Sequence, residues 1–273
     1  MMTQTHFNVK VSEFARKFTT VSKDELISQA FWTLESKEDT HLVVVEDNRP
    51  TGILSYKDFL RVLMDRARMR RFSRLYVSSI MTTSLITIDA NETILNAAKK
   101  MLEYGISSLL VTEGENITSI ITKKDILRKV KDLPIKDLNV DSIMSKSPIT
   151  APMGMTVTRA ERLLREKKIS TLPIVEEGEL VGYIDIHILA RFIIGLFLNP
   201  EHRHPEKVIR NVTLGDIMKG TFFVLPETSL EEFSMEILRR NFKGAPVVPS
   251  SMNKRVIGVV TETDIVKYIA QQS

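Results

Sequence analysis

Residues Ile86 to Leu127 read ITIDANETILNAAKKMLEYGISSLLVTEGENITSIITKKDIL, and this stretch decides the fold because its pattern recurs. Related segments run from Thr19 to Leu60, from Ile149 to Leu189 and from Phe223 to Val266. All four segments are between 41 and 44 residues long and align almost without gaps. Such self-similarity predicts one structural unit that the chain uses four times.

Each copy has the same pattern of secondary structure. A short β-prone stretch is followed by apolar residues at helical spacing, as at Ile94, Ala97 and Met101. Two apolar strands joined by a polar turn come next, and a final helix closes the unit. Because one unit alone buries too little apolar surface to be stable, we expect the units to pair. The expected fold class is α+β, with four strand-helix-strand-strand-helix units paired into two pseudo-twofold modules.

The spacing of the copies indicates where the units begin and end. We expect units at residues 1–67, 76–133, 137–198 and 210–273, grouped into modules 1–135 and 136–273. The segment between the first two copies, Arg61 to Arg74, contains six Arg and one Asp. The segment between the last two contains His202 and His204, which we interpret as part of a polar linker rather than a metal site.

The composition is typical of a globular protein. Of its 273 residues, 43% are hydrophobic and 26% are charged, and the net charge of +4 is compatible with anionic ligands. The absence of cysteine excludes disulfides and thiol chemistry. The first ten residues lack a signal-peptide pattern, and the longest apolar run, Phe192 to Leu198, is far shorter than the ~20 residues that span a bilayer. We therefore expect a cytoplasmic protein without a membrane span.

A hydroxyl residue and an aspartate three positions later close three of the copies. The pairs are Ser55 with Asp58, Thr122 with Asp125, and Thr261 with Asp264. A structural explanation is a capping motif, in which the hydroxyl and the carboxylate satisfy the free amides of a helix start. A functional explanation is that the hydroxyl and the helix start receive a phosphate while the carboxylate accepts hydrogen bonds from a ribose. The residues alone leave both explanations open.

The pattern resembles the cystathionine-β-synthase (CBS) domain family. The resemblance rests on the closing motif, on the strands Leu172 to Val175 and Ala245 to Val248, and on an Ile-Met pair before three copies: Ile80-Met81, Ile143-Met144 and Ile217-Met218. The first copy has Glu13-Phe14 near that place. The family implies tandem pairs that hold adenosine ligands in clefts between units. A four-copy chain of this kind is similar to the gamma subunit of AMP-activated protein kinase and its archaeal relatives, which implies a disc of four units.

The resemblance also implies roles for individual residues. Ribose would be bound by Asp264, Asp125 and Asp58, and phosphate by Thr261, Thr122 and Ser55. The adenine pocket would be flanked by the first-strand segments, which are Phe223, Val224 and Leu225; Ile86, Thr87 and Ile88; and Thr20 and Val21. The expected ligand is AMP, ADP or ATP, with S-adenosylmethionine as a variant, and no metal is expected. The expected partner is an unidentified protein target, such as a kinase, a transporter or an enzyme, and a homodimer is possible.

The copies differ in how well they match the motif. In the third copy Asp185 is suited to cap the helix, but Ile188 stands where the ribose-binding aspartate would be. The second copy has Ser119 where the strand would begin with Gly. We therefore rank the fourth site first, then the second, then the first, and expect the third to be empty or altered.

Two other functions remain open at this point. The Arg-rich segment Arg61 to Arg74 could serve a nucleic-acid-associated regulator, although no DNA- or RNA-binding motif accompanies it. Alternatively, the motifs are only caps and the chain is a ligand-free interaction scaffold. An enzyme is not expected, because the sequence contains no P-loop, dinucleotide fingerprint, HExxH motif or nucleophile elbow.

Overall fold

The computed structural model describes residues 7–63, 69 and 71–272, and the four sequence copies fold as four similar units. The first unit contains β1 (Thr20–Ser22), α1 (Ile27–Ser36), β2 (His41–Glu46), β3 (Arg49–Ser55) and α2 (Tyr56–Leu63). Strand β1 pairs in parallel with β2, which pairs antiparallel with β3. The apolar residues of α1 recur at helical spacing, so the helix buries one face against the sheet.

The second and third units repeat this order of elements and this strand pairing. The second unit contains β4 (Thr87–Asp89), α3 (Ile94–Glu103), β5 (Ser108–Glu113), β6 (Asn116–Thr122) and α4 (Lys123–Arg128). The third unit contains β7 (Ala151–Pro152), α5 (Val157–Lys167), β8 (Thr171–Glu176), β9 (Glu179–Asp185) and α6 (Ile186–Leu198).

The fourth unit differs in its first strand. After the short helices α7 (Pro205–Val208) and α8 (Leu214–Ile217), it contains α9 (Leu230–Arg240), β10 (Gly244–Val247), β11 (Gly258–Thr261) and α10 (Glu262–Ala270). An isolated parallel bridge between Val224 and Val247 takes the place of the first strand. Because Pro226 has no N–H to extend the ladder, the strand expected near Phe223 is reduced to this bridge.

Hydrophobic packing joins the units in two directions. One large core combines buried residues of the first and third units, and a second core combines those of the second and fourth units. A smaller cluster of Val43, Leu110 and Ile120 lies between the sheets of the first and second units. Strand β8 likewise lies beside β10, which joins the third and fourth units. Each unit therefore contacts one neighbour through its sheet and another through its helices, and the starts of the closing helices lie near the centre of the assembly.

Candidate functional site

The three complete motifs form helix caps. Each aspartate accepts hydrogen bonds at Oδ2 from the backbone N–H and the hydroxyl of the residue three positions earlier. In the first unit both bonds from Ser55 to Asp58 measure 2.8 Å. These bonds explain why α2, α4 and α10 begin where they do. These capping bonds use only Oδ2 of each aspartate.

A cavity of about 220 Å³ lies between the first and second units, at the first motif. Asp58 and Ser55 line it from the first unit, and Thr82 lines it from the second. The Thr82 hydroxyl donates to Oδ1 of Asp58 at 3.1 Å, and Nη2 of Arg61 lies 2.9 Å from the same oxygen. Apolar and polar walls complete the cavity, formed by Ile53, Leu85, Ile86, Ile106 and Leu110, and by His41, Lys57, Ser84, Ser107 and Ser108.

The residues expected to flank adenine are spread over several places. Ile86 lines the cavity. Thr87 and Ile88 line a separate outer pocket of about 270 Å³, because β4 pairs with β5 beyond Ile86 and leads away from the motif. The remaining residues lie on the first strands of other units: Thr20 and Val21 on β1, and Phe223, Val224 and Leu225 around the bridge of the fourth unit.

Most of the residues that line the cavity belong to no motif that the sequence analysis identified. Leu85 and Ser84 directly precede Ile86, and the stretch from Gly105 to Ser108 covers the end of the loop after α3 and the first residue of β5. Only their place in the chain could have indicated them, since both stretches belong to the second unit, which follows the motif of the first unit. A prediction that combined the motif of one unit with the first strand of its neighbour would have found them.

Lysine side chains gather where the starts of the closing helices meet. Lys123 and Lys124 occupy the two positions between Thr122 and Asp125, and both are buried, as is Lys243. Nζ of Lys243 lies 2.8 Å from Oε1 of Glu262, and Nζ of Lys123 donates to Oγ1 of Thr263 at 3.0 Å. The charge of Lys243 also acts on Lys57, which lines the cavity. We call Lys57, Lys123, Lys124 and Lys243 the central lysine cluster.

Carboxylates close to the central lysine cluster partly offset its charge. Burial, together with the charge of Lys243, lowers the pKa of Lys123 and of Lys124 to about 8. Glu262 acts in the opposite direction on both lysines, together with Asp264 at Lys123 and Asp185 at Lys124. Lys57 is the member of the cluster that lines the cavity, and its charge favours an anion there.

The third motif keeps its cap, and its surroundings differ from those of the first motif. Asp185 is fully buried and accepts hydrogen bonds at Oδ1 from the backbone of His187 and Ile188, each at 2.9 Å, as expected of a cap. Its Oδ2 accepts the backbone N–H of Lys243 at 2.9 Å. Burial raises the pKa of Asp185.

Aromatic rings stand in the third unit where the first cavity has aliphatic walls. The bridge between Tyr183 and Lys219 corresponds to the bridge between Ile53 and Thr82, so Tyr183, Phe222 and Phe242 correspond to Ile53, Leu85 and Ile106. The three rings contact one another with centroid separations of 4.9 to 6.1 Å. Together with Ile188, these rings take the place of the walls and the carboxylate of the first site.

Two other features of the sequence can also be placed. Arg61 interacts with Asp58 and donates to the carbonyl of Ile80 at 2.8 Å, whereas residues 64–68 and 70 of the Arg-rich segment lie outside the described residues.

In the linker before the fourth unit, Nδ1 of His204 lies 3.4 Å from Oε1 of Glu206. Within residues 7–63, 69 and 71–272, no group of three or more His, Asp or Glu side chains could hold a metal ion. No helix in this part of the chain is long and apolar enough to cross a membrane.

Comparison with known proteins identifies the units. A sequence profile of the CBS domain matches residues 11–65, 77–132, 140–195 and 214–271. An uncharacterized protein of Methanocaldococcus jannaschii, MJ1225, is 27% identical over 96% of this chain and 99% of its own length.

Two solved structures share the fold over 96% of this chain and all of their own length. The crystal structure of MJ1225, described as a candidate archaeal homologue of g-AMPK, has a TM-score of 0.81 at 24% identity. That of an uncharacterized conserved protein from Pyrococcus horikoshii has a TM-score of 0.65 at 19% identity. Since the profile matches four times and covers most of the chain, the protein belongs to the CBS domain family.

Proposed function

We propose that this chain is a non-catalytic regulatory protein that binds an adenine nucleotide, AMP, ADP or ATP, between its first and second units. The observation that carries the proposal is the cavity at the first motif, which combines apolar walls, the Asp58 carboxylate and Lys57. Each of these features suits a different part of a nucleotide.

The ribose would bind at Asp58. Hydrogen bonds from Ser55 and Thr82 fix the orientation of the carboxylate, and Arg61 lies against it. A fixed carboxylate accepts hydrogen bonds from two neighbouring hydroxyls, which is the arrangement on a ribose. Adenine would then lie against apolar walls that include Leu85, Ile86 and Ile106.

The phosphate would face the central lysine cluster. Ser55 lies at the start of α2, whose free amides favour an anion, and Lys57 lies in the same wall. Buried Lys123 and Lys124 lie beyond it near Lys243. The charge of Lys57 in the cavity wall would favour a phosphate over the sulfonium of S-adenosylmethionine.

A ligand in this cavity would contact two units at once. It would therefore stabilise one arrangement of the first pair of units, and it could change the affinity for a protein target in proportion to its preference for that arrangement. The target would be a protein such as a kinase, a transporter or an enzyme. The motif aspartates recur once in each of three units instead of converging on one centre, which favours binding over catalysis.

Calorimetric titration tests the proposal with AMP, ADP, ATP, adenosine and S-adenosylmethionine. We expect a phosphate-bearing nucleotide to bind most tightly, and Asp58→Asn to weaken its binding by about tenfold or more, because a charged hydrogen-bond acceptor is lost. Asp24→Asn is the matched control, since Asp24 is an exposed carboxylate away from the cavity. The proposal fails if none of the nucleotides binds, or if both variants bind them as the native chain does.

A further inference from the structure

The first and second units pair symmetrically. The first motif faces the second unit, and the second motif faces the first unit in the same way. Backbone hydrogen bonds of 2.9 Å link Ile53 with Thr82, and equal bonds link Ile120 with Arg16. Ile53 and Ile120 lie two residues before the motif hydroxyl in their units. Arg16 therefore stands where Thr82 stands in the open cavity.

Arg16 extends across the second site. Its Nε donates to Oδ1 of Asp125 at 3.1 Å, the carboxylate oxygen that corresponds to the one bound by Thr82. Its Nη1 and Nη2 donate to the Asp39 carboxylate at 3.1 and 2.7 Å. Asp39 occupies the position of Ile106, an apolar wall of the open cavity. One side chain thus connects the motif carboxylate to the opposite wall.

The surrounding groups hold this arginine in place. Asp39 and Asp125 are both buried, and Thr19 donates from Oγ1 to Asp39 at 3.2 Å. Although burial disfavours the charged carboxylate, the Arg16 guanidinium keeps the pKa of Asp39 below its usual range. Arg128 contributes a further cation to Asp125. Displacing Arg16 would leave two buried carboxylates short of a partner, which opposes ligand entry.

The fourth motif provides a contrast within the same chain. Asp264 has the same cap from Thr261, but Ser145 stands at the position of Arg16, as the bridge between Ser145 and Val259 shows. Among the described residues, no arginine or lysine forms an ion pair with Asp264. The closure of the second site is therefore a property of Arg16 and Asp39, not of the motif.

We infer that the Arg16 guanidinium occupies the ribose position of the second site and closes it, so that the first pair of units binds one nucleotide, at Asp58. This inference rests on the proposed function. It places Asp125 in a structural role, although the motif alone ranks Asp125 above Asp58.

The number of nucleotides bound per chain tests the inference, with AMP as the probe in calorimetry and equilibrium dialysis. Arg16→Thr, and Arg16→Thr combined with Asp39→Ile, give the second site the residues found at Thr82 and Ile106. We expect the double variant to bind one more AMP than the native chain, and the single variant to bind it more weakly because Asp39 remains in the wall. Asp125→Asn in the double-variant background should remove the added site. The reciprocal change, Thr82→Arg with Ile106→Asp, should remove the native site in the first pair.

The possible outcomes separate this inference from the proposed function. If the native chain binds AMP through Asp58 but the folded Arg16→Thr variants bind no more of it, the inference is wrong and the proposed function stands. If Asp125→Asn alone lowers the number of bound AMP molecules, the second site is open and the inference is also wrong. If neither the native chain nor any variant binds AMP, ADP or ATP, both fail. Should the Arg16 variants not fold, the Thr82→Arg variant and Asp125→Asn decide the question.

Discussion

Met81 lies directly on the backbone of Gly52, so closely that a Cβ added to Gly52 would lie 2.7 Å from the Met81 sulfur. This contact explains two elements of the sequence pattern together, the Ile-Met pair before a unit and the glycine of the neighbouring unit. The same contact occurs twice more, between Gly182 and Met218 and between Gly258 and Met144. The methionine therefore fixes the spacing between paired units, and the cavity at Asp58 lies directly beside it.

We predict that Gly52→Ala destabilises the protein by ~1–3 kcal/mol, because the added methyl group has no room against Met81. Combining Gly52→Ala with Met81→Ala should recover part of that loss, since the smaller side chain frees the space. Urea denaturation of the single and double variants measures the coupling. Additive effects would show that the two residues do not constrain each other.

Between the first and second units, both residues of the glycine–methionine contact are replaced at one of the two motifs. At the corresponding place the chain has Ser119 instead of glycine and Ala15 instead of methionine, as the bridge between Arg16 and Ile120 indicates. A larger residue on the strand is thus matched by a smaller one before the unit. The match noted in the sequence at Glu13-Phe14 is displaced by one residue, since Phe14 and Ala15 correspond to Ile80 and Met81.

Lys57→Met should weaken binding of AMP by about tenfold or more and leave binding of adenosine unchanged, because Lys57 would contact only the phosphate. Lys131→Met removes the same charge from an exposed lysine outside the cavity and serves as the control. Calorimetric titration of both variants with both ligands measures the effect. Equal losses for AMP and adenosine would assign Lys57 a structural role.

The free energy of unfolding of the ligand-free protein should rise with pH between about 8 and 9.5. Burial, together with Lys243, lowers the pKa of Lys123 and Lys124 from 10.5 to about 8 in the folded chain. Above pH 8 the unfolded chain therefore keeps protons that the folded chain has lost, and stability increases as pH rises. Below pH 8 both states carry these protons, and the cost of burying them is fully present.

Urea denaturation at several pH values between 7.5 and 9.5 checks this dependence. The variant with both Lys123→Met and Lys124→Met should lose most of the rise, because it lacks the two groups that titrate in this range. A rise of the same size in that variant would assign the dependence to other groups.

Two buried tyrosines should respond in opposite ways to loss of the hydroxyl. The Tyr183 hydroxyl is buried without a hydrogen-bond partner among the described residues, whereas the Tyr56 hydroxyl donates to Glu35. Tyr183→Phe should therefore be neutral or stabilise the protein, and Tyr56→Phe should destabilise it by ~1–2 kcal/mol. Thermal denaturation of both variants checks the difference, and equal destabilisation would mean that Tyr183 has a partner.

The sequence predicts the four units and their caps because both depend on local patterns. Ser55 and Asp58 lie three residues apart, so their hydrogen bonds form within one helix turn. The closing of the second site could not be predicted in this way. Arg16 and Asp125 are 109 residues apart, and Arg16 belongs to no motif.

The central lysine cluster could not be predicted from the sequence pattern either. Lys57, Lys123 and Lys124 occupy motif positions that the pattern leaves unspecified, and Lys243 lies outside the motif. Only the packing of the first, second and fourth units against one another brings these residues together. The inferred closing of the second site would change the predicted order of the sites for the same reason, since a motif that matches well can face a neighbour that fills its cleft.

The central claim is that a nucleotide binds in the cavity between the first and second units, and isoleucine methyl NMR with AMP tests it most directly. We predict that saturating AMP shifts the methyl signals of Ile53, Ile86 and Ile106, which line the cavity, and that Asp58→Asn abolishes these shifts at the same AMP concentration. If AMP binds while these three signals stay in place, the nucleotide site lies elsewhere and the account is wrong.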